Sequence, residues 1–230
     1  MSQENKSKFP NCNDPDKVVE FLLKQKGNVF VDIGASDGFY TIGLARNWEK
    51  IYAYEPHPRT ARYLSNLVRK YRFSRIKVIP KAISDSEGAV TLYCSSRGWR
   101  CNSLLPVGTE EIMVPMTTLA KEFPKEKIDL VKVDTEGSEF EVLEGARKIV
   151  NRIKAWVIEV HDLEEICGKY ATVEGTFEER NEALIALLEE LGYKTRWIVK
   201  KKMIYAYKEK KKKVKKVEDQ EKKELIEEEK

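Results

Sequence analysis

The most restrictive feature of this 230-residue chain is the run Val29-Phe30-Val31-Asp32-Ile33, which leads directly into Gly34-Ala35-Ser36-Asp37-Gly38. A short apolar run rich in β-branched residues suits a strand buried on both faces of a parallel sheet. Glycines behind such a strand let backbone approach a ligand, and the helix predicted from there to about Asn47 offers unpaired N–H groups at its start. The spacing is Gly-x-x-x-Gly. A dinucleotide fingerprint beginning at Gly34 requires glycine at 36 and Gly or Ala at 39, where the chain has Ser36 and Phe39. No Gly-Lys-Ser/Thr follows, so a cradle for ATP phosphates is disfavoured too. Asp32, an acid ahead of the glycines, suits a ligand with a positively charged amino acid end. The plain alternative is a tight turn with no ligand.

The alternation continues. Ile51-Tyr52-Ala53-Tyr54-Glu55 predicts a second strand closed by Pro56 and Pro58, and Ile76-Lys77-Val78-Ile79 a third. Between them Ala61, Leu64, Leu67, Val68 and Tyr71 recur at helical spacing. Strand, helix, strand, helix, strand predicts a parallel sheet flanked by helices. The pattern breaks after the turn Asp85-Ser86-Glu87-Gly88. Ala89 to Tyr93, an irregular loop and Ile112 to Met116 read as a hairpin-like excursion at the sheet edge. It resumes with Ile128 to Val133, a helix from about Ser138 to Val150, and the strand Ala155 to Val160. Phe177, Leu184, Leu187, Leu188 and Leu191 mark one more amphipathic helix. Two last strands, Tyr193 to Val199 and Met203 to Tyr207, share the short turn Lys200-Lys201-Lys202 and so pair antiparallel. Ahead of everything, Asp14-Pro15 starts a helix carrying Val18, Val19 and Leu22, which Gly27-Asn28 stops.

Charge is close to balance, with 42 Lys and Arg against 38 Asp and Glu. A dedicated nucleic-acid binder carries a stronger basic excess. No apolar run approaches the ~18 residues of a membrane helix. The polar N-terminus lacks a signal-peptide stretch, so a soluble cytoplasmic protein is the expectation. Four scattered cysteines without a C-x-x-C, and only two histidines, point to neither a disulfide framework nor structural zinc. Cys94 and Cys101 flank a short loop, and two separate thiols are expected there. Ten Lys between Lys200 and Lys216 precede seven acids between Val217 and Lys230, while apolar residues nearly vanish after Tyr207. Such a tail cannot bury enough surface to order itself. The division is a helical lead-in over 1–28, one α/β domain over 29–207 and a charged tail over 208–230.

Glu55 strengthens the case for a ligand. A carboxylate ending the second strand can accept two hydrogen bonds from a ribose diol, and it follows Asp32 at about the ~20-residue spacing of such a ribose reader. Ala82-Ile83-Ser84-Asp85, just past the third strand, can offer backbone N–H groups and an apolar wall to an adenine ring.

These segments, together with Tyr40-Thr41, Thr117-Thr118-Leu119, Ile128-Asp129-Leu130-Val131-Lys132-Val133-Asp134-Thr135-Glu136-Gly137-Ser138-Glu139 and Val142-Leu143-Glu144-Gly145-Ala146, resemble the FkbM family of S-adenosylmethionine-dependent methyltransferases. The resemblance runs from about residue 29 to 161. It implies a Rossmann-like class I methyltransferase fold, a mostly parallel seven-stranded sheet with an antiparallel last strand, flanked by helices. It also implies methyl transfer, most often to a hydroxyl oxygen, here of a sugar, glycan or other small molecule. By position it implies Asp32, Gly34, Ala35, Gly38, Tyr40 and Thr41 around the methionine end of the cofactor. Glu55 would take the ribose, Ala82 and Ile83 the adenine, and Asp134 the amino group or reacting methyl.

Strand ends converge on the ligand crevice of an open α/β sheet, so Asp134, Glu136 and Glu139 should approach Glu159 and His161 there. Three readings compete: a general base, with His161 nearest a useful pKa; a divalent metal held by carboxylates and His161; or carboxylates that merely favour the start of the next helix. The expectation is His161 as base with Asp134 beside it, Glu136 and Glu159 in support, and no metal. The loop Ser95 to Ser103, with Arg97, Trp99 and Arg100, suits a sugar or phosphate-bearing acceptor or is an ordinary surface loop. His57, between two prolines, reads as a turn residue.

Two other functions stay open. The lysine run and the Arg-Trp loop would suit an RNA methyltransferase, yet the fifth strand ends Glu159-Val160-His161 without a catalytic lysine, and Asp134-Thr135-Glu136-Gly137 is not an Asp-Pro-Pro-Tyr stretch. A non-catalytic binding module would not need Asp32, Gly34, Gly38 and Glu55 together.

Overall fold

Residue alternation along the first strand divides the molecule into two cores. The computed structural model describes residues 15–94, 102–106, 110–162 and 175–209. In β1 (Gly27–Ile33), Val29, Val31 and Ile33 face one core and Phe30 the other. On the first side lie α5 (Glu139–Ala146) and α6 (Phe177–Glu190), contributing Val142, Leu143, Leu184 and Leu188. On the second lies α1 (Pro15–Leu23), whose Val18 and Leu22 share a cluster with Phe30, Trp48 and Met203.

In chain order the remaining elements are α2 (Phe39–Gly43), β2 (Trp48–Tyr54), α3 (Pro58–Lys70), β3 (Ile76–Ile79), β4 (Ala82–Ile83), β5 (Gly88–Cys94), β6 (Glu110–Thr117), α4 (Leu119–Glu122), β7 (Leu130–Val133), β8 (Ala155–Glu159), β9 (Lys194–Val199) and β10 (Met203–Tyr207). Seven strands form the main sheet in the order β3-β2-β1-β7-β8-β10-β9. β1, β2, β3, β7 and β8 pair in parallel, and β10 runs antiparallel to both neighbours. This is the expected doubly wound sheet with its antiparallel last strand. Strand order reverses between β1 and β7, and open α/β sheets form their ligand crevice at such a switch point.

Three local expectations need correction. The excursion is not an edge hairpin of the main sheet but part of a separate three-stranded sheet, β4-β6-β5, with its own small core of Ala82, Leu92 and Val114. Pro80, which has no N–H, follows β3, and Ala82-Ile83 then pairs with Met116-Thr117 instead of remaining a loop. The helix after the glycine turn covers only Phe39–Gly43, because β2 begins at Trp48 and the chain must turn back early. The helix after Ser138 ends at Ala146 and tightens into a 3-10 segment, Arg147–Arg152. Asp14, Cys12, Cys101, Cys167, the Arg97–Arg100 stretch and residues 210–230 lie outside the described residues. Cys94 carries a free thiol. No helix among the described residues is long and apolar enough to cross a membrane.

Candidate functional site

The carboxyl ends of the central strands open on a cavity of about 760 Å³ whose wall includes the glycine turn, Glu55, Ala82, Ile83, Asp134 and Glu159. Its floor depends on two glycines. Gly34 has φ +75°, and a Cβ there would lie 1.8 Å from the Asp134 carbonyl oxygen; at Gly38, φ +87°, it would lie 2.3 Å from Leu64. No L side chain fits the first position, so the turn after β1 can press directly on the end of β7.

Glu55 is pinned at both oxygens. The Ser36 N–H donates to Oε2 and the His57 N–H to Oε1, each at 2.9 Å. Burial pushes its carboxyl up to about 7; the two N–H donors oppose that rise, and the charges of Asp32 and Asp134 add to it. Each oxygen keeps a lone pair for a ligand. Of the residues implied for the cofactor, Gly34, Ala35, Gly38, Tyr40, Glu55, Ala82, Ile83 and Asp134 all line the cavity.

Asp32 and Thr41 do not. Both are wholly buried beneath the floor, where the Thr41 hydroxyl donates to Asp32 Oδ2 at 2.6 Å. Direct ligand contact, expected of both, gives way to a supporting role. What they support is Lys132, which the sequence reading left out of the site. Its side chain is 1% exposed, with Nζ 3.4 Å from Asp32 Oδ1, 3.1 Å from Asp134 Oδ2 and 4.8 Å from the centre of the Tyr40 ring. Burial would strip its proton, but Asp134 and Asp32 outweigh that and hold it charged. Burial likewise favours a neutral Asp134, and Lys132 and then His161 overrule it, keeping that carboxylate below its ordinary pKa. Asp32 has more burial than Lys132 offsets, so its carboxyl is raised. A lysine inside an otherwise apolar strand is the signal that was available, since a buried ammonium persists only when paired.

On the far side of Asp134 the expected cluster does assemble. His161 Nδ1 is 2.9 Å from Glu139 Oε1; its Nε2 is 3.6 Å from Asp134 Oδ1 and 3.8 Å from Glu136 Oε2. Glu139 Oε1 also accepts from the Gly137 N–H at 3.1 Å. Burial lifts Glu136 to about 7 and raises Glu159, which Asp134 raises further. Glu139 is pulled below its usual range because His161 outweighs burial. His161 itself departs from expectation. Burial disfavours its charge, but Glu139, Asp134 and Glu136 together push it up to about 10. A raised imidazole pKa favours the protonated ring, which has no lone pair for an acceptor's proton, and this weighs against His161 as the base. Ser103, the last residue of the loop singled out for the acceptor, donates its hydroxyl to the Glu136 carbonyl at 2.6 Å and braces a residue held at φ +54°. His57 caps α3, accepting from the Thr60 N–H through Nδ1 at 3.4 Å.

A glycine turn at the switch point, a strand-end carboxylate beside it and an antiparallel seventh strand together define a Rossmann-like methyltransferase. Residues 32–195 match the methyltransferase FkbM domain, and the chain belongs to that family. The hexuronic acid methyltransferase AglP of Haloferax volcanii is 27% identical over 152 residues, covering 63% of this chain and 61% of AglP. The crystal structure of the methyltransferase FkbM from Methylobacillus flagellatus superposes with a TM-score of 0.52 at 18% identity, over 79% of this chain and 44% of that one. Magnesium protoporphyrin IX methyltransferase from Synechocystis, with S-adenosylmethionine bound, gives a TM-score of 0.50 at 11% identity over 84% and 77% of the two chains.

Proposed function

We propose that this protein transfers a methyl group from S-adenosylmethionine to a hydroxyl oxygen of a sugar, with a uronic acid or a glycan carrying one as the leading acceptor. The observation that carries the reading is the placing of Glu55 and Asp134, at the ends of the two strands that flank β1, on the wall of one cavity of about 760 Å³. That volume suits a nucleoside-sized ligand. Glu55, with a free lone pair on each oxygen, would take the ribose diol. The Gly34–Gly38 backbone and Asp134 would hold the methionine end, and Ala82 and Ile83 the adenine. The bound cofactor supplies an electrophilic methyl that reaches the acceptor oxygen as its carbon–sulfur bond breaks.

The chain's own work is alignment and proton removal. Holding the two reactants in line can supply much of the acceleration of such a displacement. Asp134, Glu136 and Glu159 line the cavity, and the acceptor would sit against them. The proton leaving the hydroxyl goes to a carboxylate of this set, with Glu159 the one assigned. The acceptor class is supported by the substrate named for AglP. Residues 29–207 would form the transferase unit, with 1–28 as a lead-in and 208–230 as an appended charged tail.

Calorimetric titration with S-adenosylhomocysteine, run beside NADH and repeated on Glu55→Ala, tests the cofactor. Binding of the first ligand alone, lost in the variant, is expected. A folded protein that binds neither ligand would sink the proposal. Transfer of labelled methyl to glucuronic acid and its glycosides, compared with the neutral sugars, tests the acceptor.

A further inference from the structure

The donor atoms of Asp134, Glu136 and His161 converge without touching. One oxygen of each carboxylate and one ring nitrogen all lie within 4.8 Å of one another. Yet neither carboxylate is within hydrogen-bond distance of Nε2, at 3.6 and 3.8 Å. A plain ion pair would draw one of those oxygens to about 2.8 Å. Ligands of a common divalent ion sit about 3 Å apart in cis and about 4 Å in trans, because each is about 2.1 Å from the centre. The observed gap is a slightly open version of that arrangement.

The second coordination layer is present as well. Metal-binding histidines characteristically give their other ring nitrogen to a carboxylate, which fixes the tautomer and aims the free nitrogen. Glu139 holds His161 Nδ1 in this way at 2.9 Å and is itself anchored by the Gly137 N–H. Ser103 fixes the main chain of Glu136 at its carbonyl, and Lys132 holds the Asp134 carboxylate at 3.1 Å. Thus all three residues are positioned by groups outside the set.

We propose that Asp134, Glu136 and His161 form a divalent-cation site of the Mg²⁺ or Mn²⁺ type, opening onto the acceptor side of the cavity. Two carboxylates are hard donors and the imidazole a borderline one, a mixed set that Mn²⁺ accepts more readily than Mg²⁺, and three protein ligands leave positions for a substrate. A vicinal diol or a uronate carboxylate with its neighbouring hydroxyl would chelate the ion there. The ion would orient that hydroxyl and make it more acidic, and Glu159, outside the triad, is left to receive its proton. The inference rests on the methyl-transfer reading for the use of the ion but not for its binding.

The test uses the full chain after exhaustive chelation, with Mn²⁺ as probe. Loss of the free-ion electron paramagnetic resonance signal reports binding, and S-adenosylhomocysteine titration of the same sample reports the cofactor site. One Mn²⁺ per chain is expected, with affinity at least about tenfold weaker in Glu136→Gln and in His161→Ala, and also in Glu139→Gln as the second-layer variant. If His161→Ala fails to fold, Glu136→Gln decides alone. Protein that binds S-adenosylhomocysteine but no Mn²⁺ at about 1 mM overturns the inference, as does binding that survives both ligand variants unchanged. Mn²⁺ binding without S-adenosylhomocysteine binding upholds the site and removes the methyl-transfer reading instead.

Discussion

The Lys132 ammonium lies 3.1 Å from the Asp134 carboxylate two residues along the same strand, and 3.4 Å from Asp32 on the neighbouring one. The register that pairs Asp32 with Lys132 makes this possible, since it sets both side chains on one face of adjacent parallel strands. Removing one member of a buried ion pair leaves an uncompensated charge. Lys132→Met is therefore expected to cost about 3–5 kcal/mol in denaturant unfolding and to weaken S-adenosylhomocysteine binding. Adding Asp32→Asn should return more than half of the lost stability. If the double variant is no more stable than the single one, Lys132 does not act as the partner of Asp32.

How much of this was legible beforehand depends on the range of the interaction. Glu55 and Asp134 could be placed at strand ends because a run of apolar residues and the break after it are local. Lys132 could be seen as unusual, but its partner Asp32 is one hundred positions away and is fixed only by strand pairing. Ala82-Ile83 has two residues and no pattern of its own; it is a strand only because β6 arrives beside it. The protonation of His161 depended on which carboxylate met which ring nitrogen, and that is set by the turn at Gly137 and the packing of Glu139. Alternation gives the sheet; the charges beneath it are decided in three dimensions.

Gly34 gives a sharp structural test. An alanine there must adopt φ +75° and place its Cβ 1.8 Å from the Asp134 carbonyl. The two strand ends would have to separate. Gly34→Ala should lose several kcal/mol, about 3 or more, and should lose S-adenosylhomocysteine binding before it loses the fold. Gly88→Ala is the control: φ is +142°, but no atom lies within 4 Å, so the penalty is conformational alone and cofactor binding should persist. Thermal melts and calorimetry on both variants separate the two costs.

Glu55 predicts a pH dependence. Burial raises its folded pKa to about 7 from the ordinary glutamate value near 4.5. A raised carboxyl favours the protonated form in the fold, so its burial costs most above pH 7, and the penalty fades as pH falls toward 4.5. Relative to Glu55→Gln, the wild type should therefore lose up to about 3 kcal/mol between pH 4.5 and 8. Ligand binding should run the other way. A ribose diol donates both its hydrogens, so it needs the ionised carboxylate; S-adenosylhomocysteine affinity should fall as pH drops below 7 in the wild type and stay flat in Glu55→Gln. A wild-type profile as flat as the variant's would detach Glu55 from the ligand.

Ser103 links the small sheet to the chemistry. Its hydroxyl reaches the Glu136 carbonyl across 33 positions, and its own N–H and carbonyl pair with Tyr93. Cutting that bond frees Glu136, at φ +54°, to relax toward ordinary backbone angles. Ser103→Ala should lose about 1–2 kcal/mol of stability, because the hydroxyl's two hydrogen bonds, to the Glu136 carbonyl and from the Leu105 N–H, are removed. Methyl transfer should fall as well, about tenfold in kcat with S-adenosylhomocysteine affinity unchanged, because the Glu136 carboxylate would no longer be held in place. Equal losses in cofactor affinity and in turnover would instead make Ser103 a support for the cofactor wall, with Glu136 indifferent to its bracing.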